Sequence, residues 1–144
     1  MRGFRFLAGV IACAALGACG GRAASVTQPT PSPSKHLLIV TYTAGFHHDS
    51  IPMAEATIQS IGQRTGLFDS GFCRTADDVK AKLSVAGLNS VDAVFFANTT
   101  GDLGIPDVQA FLDWIAAGHA FVGAHSAADT YHDSDGYLAM LGGE

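Results

Sequence analysis

The chain has 144 residues, with 8 Lys and Arg against 13 Asp and Glu, for a formal net charge of −5 with histidines neutral. That balance argues against a nucleic-acid partner and against electrostatic attachment to anionic lipid, since both need a basic surface.

Residues 1–5, Met1-Arg2-Gly3-Phe4-Arg5, are a short basic head. Residues 6–18 are an apolar run without charge, too short for a stable membrane-spanning helix. The run ends in Leu16-Gly17-Ala18-Cys19, and basic head, apolar stretch and small residues together describe a secretory signal over residues 1–18. A cysteine directly after Leu-Gly-Ala resembles the lipobox of bacterial lipoproteins, whose thiol takes a diacylglycerol and becomes the new N-terminus. An ordinary signal peptide with an incidental cysteine is the simpler alternative. Gly20, and not Asp, follows Cys19. The resemblance therefore implies an exported protein anchored by lipid at the outer membrane, facing the periplasm or the cell surface.

Loss of Arg2 and Arg5 with the signal leaves 6 basic against 13 acidic side chains, a net charge near −7, so attachment rests on acyl chains alone. With Cys19 acylated, Cys73 is expected to be a free, buried thiol, and the fold must be held by its core. Residues 20–35, GGRAASVTQPTPSPSK, are rich in Pro and Ser and almost devoid of apolar side chains, so they read as an extended spacer. Residues 36–144 are then the length of one small domain.

HLLIVTYT (36–43) carries a continuous apolar run, as a strand buried on both faces does. Ile51, Ala54, Ile58 and Ile61 recur at helical spacing after Ser50 as N-cap, with Pro52 in the first turn and Gly66 as the stop. Residues 67–74, with Cys73, are a weaker strand. Thr75-Ala76-Asp77-Asp78 reads as a capping box opening a helix through Val79 and Leu83 to Gly87. VDAVFFA (91–97) is the second clear strand. Pro106 opens a helix with Val108, Phe111, Leu112 and Ile115 as its apolar stripe and Gly118 at its end. HAFVG (119–123) is a further strand, and residues 135–141 read as another helix. Strands alternating with amphipathic helices predict an α/β fold, a three-layer, doubly wound, mostly parallel sheet of flavodoxin-like type. Such a domain normally continues for further strands, so the chain is expected to be truncated at its C-terminus.

Ligands of such sheets sit beyond the carboxyl ends of the strands. Residues 43–50, 98–102 and 123–133 emerge there, and they hold four of the six histidines. Gly123-Ala124-His125-Ser126-Ala127 places small residues around one functional side chain between strand and helix, as an elbow turn requires. Histidine at that centre suits a general base, a covalent phosphoryl acceptor or a metal ligand; a helix-capping or core histidine is the plain alternative.

VTYTAGFHHDSI, FFANTTGDL and FVGAHSAADTYHDSDGYLAMLGG together resemble the ThuA-like (trehalose utilisation) family, over residues 36–144. The resemblance implies the class I glutamine amidotransferase-like fold with the elbow cysteine replaced by histidine, and hence no glutaminase activity. It implies a role in using sugars or keto-sugar derivatives. Gly45, His48 and Ser50 match its first motif, Asn98, Thr99 and Gly101 its second, and Gly123, His125 and Ser126 its third. Catalysis is expected of His125, His48 and Ser126, and substrate binding of Gly45, Ser50, Asn98, Thr99, Gly101 and Asp129. A divalent metal such as zinc is one option, on His48, His125 and His132 with Asp49, Asp129 or Asp133; acid/base work without metal is the other. Phe46, Tyr131 and Tyr137 are candidates to stack on a sugar ring, while Trp114 reads as packing. The expected partner is a saccharide or sugar-derived small molecule, taken by an enzyme of hydrolase, lyase or isomerase type. A non-catalytic carbohydrate-binding module and a non-functional fragment are the alternatives.

Overall fold

The computed structural model describes residues 35–142. The signal, Cys19 and most of the spacer lie outside them.

β1 (His36–Val40), β2 (Asp69–Cys73), β3 (Ala93–Ala97) and β4 (Ala120–Ala124) form one parallel sheet in the order β2-β1-β3-β4. Register pairs Ile39 with Phe72 and with Phe95, and Phe96 with Gly123. The pleat of β1 divides its side chains between two cores. Leu38 and Val40 join the larger one, with Val94, Phe96, Val79 of α2 (Ala76–Lys82), Leu88 of α3 (Val85–Leu88), Phe111 of α4 (Val108–Ala116) and Tyr137 of α5 (Asp135–Leu141). Leu37 and Ile39 face the other way, onto Ile58 of α1 (Ile51–Thr65). Helices therefore cover both faces, and the three-layer, doubly wound, flavodoxin-like α/β arrangement is as the sequence predicts.

Several boundaries move for local reasons. β1 ends at Val40, because the N–H groups of Thr41 and Tyr42 both turn to the Cys73 carbonyl (2.9 and 3.1 Å). Gly87 does not end the second helix. α2 stops at Lys82, and Ser84 caps a separate short α3 in which Gly87 sits. A Cβ on Gly87 would lie 2.4 Å from the Ala81 carbonyl oxygen, so the glycine permits a close approach between the two helices. α4 begins at Val108 with Asp107 as its N-cap, one residue beyond Pro106. Thr75 and Asp78 do form the reciprocal capping box, and Gly66 closes α1 at φ 67°. Ile61 departs from the expected apolar face and is 38% exposed. Cys73 is free and buried, and desolvation pushes its thiol up to about 12.

Candidate functional site

The helices of α1 and of the α2–α3 pair leave the sheet on opposite faces, so the chain parts company beyond the carboxyl ends of β1 and β3. This is where a doubly wound sheet opens a crevice. Three loops meet there, and main-chain hydrogen bonds fix them to one another. The N–H groups of Ala44 and Gly45 both donate to the Thr100 carbonyl (3.0 and 3.2 Å). Asn98 N–H donates to the Ala124 carbonyl, and Gly101 N–H to that of Asp129 (3.3 and 3.1 Å).

The two glycines expected to bind substrate serve this packing. A Cβ on Gly45 would stand 2.7 Å from Thr100 Oγ1, and Gly101 has φ 76° with its missing Cβ 3.1 Å from Gly45 N. Threonine hydroxyls complete the junction. Those of Thr43 and Thr100 touch each other, and each lies 3.0 Å from the Phe46 carbonyl oxygen. Thr99 is fully buried and bonds Thr130 at 2.7 Å, so its hydroxyl belongs to the framework and does not reach the crevice.

β4 runs into a 3₁₀ turn, His125–Asp129, which is the expected elbow. His125 has φ 55°. A non-glycine residue in the left-handed region carries strain that its surroundings must hold. Gly123 leaves room for the turn, since a Cβ there would be 3.2 Å from that of Ala127. From the far side, Tyr137 Oη donates to the Ala127 carbonyl at 2.9 Å. Asn98, the first residue after β3, is also left-handed at φ 61°. It is 7% exposed, and its amide donates to Ser50 Oγ at 2.7 Å. Ser50 occupies the N-cap position of α1 without a side-chain capping bond.

This framework brings His48 and His125 together, with ring centroids 4.6 Å apart at an interplanar angle of 67°. Phe46 meets His48 edge-on at 4.8 Å. A crevice of about 400 Å³ adjoins the pair, lined by Ser50, Met53, Ala54, Phe95, Asn98 and His125. His125 is exposed and His48 half-buried, so both imidazoles are accessible to a ligand.

Three other expected site residues lie elsewhere. Ser126 Oγ is buried, has no hydrogen-bond partner among the described residues, and does not line the crevice. Asp129 and His132 line a separate hollow of about 280 Å³ with Asp102, Tyr131 and Asp133. The ligand set imagined for a zinc ion is thereby divided between two places. Among the described residues no group of three or more His, Cys, Asp or Glu side chains is placed to share a metal ion.

Residues 36–144 match the model of the family described as ThuA, trehalose utilisation. The chain belongs to this family. No curated protein and no solved structure matches it. Membership ties the ThuA domain to the use of trehalose and related carbohydrates, and a sugar-like compound is its expected ligand class. Four further residues at or around the crevice carry little signal in the sequence. Met53 lines it while 71% exposed, and Thr43, Thr100 and Thr130 tie its loops. Their signal was faint: threonines just after strand ends, and one methionine at an α1 position outside the Ile51–Ile58 stripe.

Proposed function

We propose that this ThuA protein is an exported, lipid-anchored enzyme that acts on a saccharide or keto-sugar derivative outside the cytoplasm, through acid/base chemistry of His48 and His125. The observation that carries the reading is the contact of His48 with His125, which lines the crevice and sits on strained backbone. Imidazole is the side chain that changes protonation near neutral pH. A neutral ring takes a proton from a sugar hydroxyl, or from the carbon beside a keto group. A protonated neighbour gives one to the carbonyl or leaving oxygen. Asn98 and Ser50, already bonded to each other, offer their remaining hydrogen-bonding capacity to sugar hydroxyls at the crevice wall. The export half of the proposal rests on the sequence around Cys19 and the Pro/Ser spacer, which make ATP-dependent chemistry on a cytosolic sugar phosphate the wrong setting.

A second reading, a non-catalytic carbohydrate-binding module, draws on one observation. Among the described residues neither His48 nor His125 has a hydrogen-bonded carboxylate or carbonyl to fix its tautomer, which acid/base histidines normally have. The two readings part in a conversion assay over a panel of saccharides that includes trehalose and keto-sugars, run beside calorimetry. Conversion by the full-length protein that His125→Ala reduces by about 10²–10⁴-fold, with sugar affinity retained, supports the enzyme. Saccharide binding without conversion anywhere in the panel overturns it in favour of the module.

A further inference from the structure

Phe46 is 70% exposed, an unusual setting for a large aromatic ring in the middle of a loop whose backbone is so tightly held. Its carbonyl oxygen lies 3.0 Å from the hydroxyls of both Thr43 and Thr100, and the two preceding N–H groups are bonded to the Thr100 carbonyl. The main chain is thus pinned while the side chain projects into solvent, its ring against His48 at 4.8 Å. Met53, equally exposed, lines the adjoining crevice. The other aromatics that could meet a sugar are committed elsewhere. Tyr131 and Tyr137 are 8% and 0% exposed. The hydroxyl of Tyr131 accepts from Ile105 N–H, and that of Tyr137 donates to Ala127. Trp114 packs against the larger core and stacks on His119 at 4.1 Å.

We infer that Phe46 is the stacking platform of the site, selecting a pyranose ring and laying it beside the His48–His125 pair. The inference rests on the saccharide reading above. A pyranose has a rim of hydroxyls and a face of C–H bonds. An aromatic face carries negative charge density, so it attracts those C–H bonds, and both apolar surfaces shed water on contact. An acyclic polyol has the hydroxyls without the face. Because the main chain that carries the ring is already pinned, only the two side-chain torsions of Phe46 remain to be ordered on contact. Ring against chain is therefore the discrimination that Phe46 supplies.

The test is calorimetry on the full-length protein and its Phe46→Ala and Phe46→Trp variants, with trehalose and a panel of pyranosides on one side and glucitol on the other. Phe46→Ala is expected to weaken pyranoside binding about tenfold, Phe46→Trp to keep it, and neither to change the response to glucitol. The ring is exposed, so the melting temperature of either variant should stay within about 2 °C of the parent. A parent that binds pyranosides and a Phe46→Ala variant that binds them equally well would overturn the platform while leaving the saccharide reading in place. A parent that binds no member of the panel would overturn both.

Discussion

The junction of the first two loops can be tested with one methyl group. Gly45 has no need of left-handed backbone, since it is absent from the positive-φ glycines, so its value lies in space alone. Gly45→Ala puts a carbon 2.7 Å from Thr100 Oγ1, a hydroxyl on a residue that is 3% exposed and pinned between Thr43 and the Phe46 carbonyl. Something must shift, and overpacking of this kind costs about 1–3 kcal/mol. Thr100→Ala removes the obstructing oxygen and its hydrogen bonds, at a cost of about 1–3 kcal/mol by itself. Made together, the two changes no longer clash. The double variant should therefore be more stable than the sum of the singles predicts by about 1–2 kcal/mol. Urea denaturation of the four proteins measures this, and thermal melts should separate by about 4–8 °C per kcal/mol for a domain of this size. Strict additivity, with coupling below about 0.3 kcal/mol, would refute the proposed contact and the role given to Gly45.

Glu55 accepts the Arg74 guanidinium (Nη2–Oε2 2.7 Å) and the Thr41 hydroxyl (2.6 Å), and those bonds, Arg74 first, hold its carboxyl below the ordinary glutamate value despite partial burial. A lowered folded-state pKa gives stability that is complete above the unfolded value and fades as pH falls through the folded one. Glu55→Gln should therefore lower stability by about 1 kcal/mol near neutral pH, Arg74 being half-exposed. The gap between variant and parent should narrow in melts taken below about pH 4; a gap that widens in acid would contradict the assignment. The Cys73 thiol, buried and raised to about 12, should react with a thiol reagent only as fast as the domain unfolds, so rapid labelling of native protein would contradict its placement. At the other end of the chain, Cys19→Ser should abolish incorporation of labelled fatty acid and release the protein from the membrane fraction. Undiminished labelling would remove the anchor from the account.

What the sequence made legible was whatever has a period or a fixed local chemistry. The Leu-Leu-Ile-Val run of β1 and the Val-Phe-Phe run of β3 announced strands buried on both faces. Thr75 and Asp78 announced a helix start, and Gly66 a helix end. The elbow at His125 was readable because a strained turn needs small neighbours, and Gly123 and Ala127 are small for that reason. Placement was least legible where a side chain leaves irregular backbone, since nothing periodic then says which way it points. Thr99 and Ser126 each stand one residue beyond a left-handed residue, and both turn inward. Asp129 and His132 are close to His125 in sequence, but the 3₁₀ turn carries them into the other hollow. Among the three aromatics named for stacking, the sequence alone offers no way to choose; exposure separates Phe46, at 70%, from the buried Tyr131 and Tyr137.

The central claim, that His48 and His125 act as one acid/base unit on a sugar, is tested most directly by turnover of His48→Ala, His125→Ala and the double variant on the best saccharide of the panel. Groups that share one step do not add. Each single change is expected to lower kcat by about 10²–10⁴-fold, with the double variant little worse than either. Turnover at the parental rate in His125→Ala would contradict the claim.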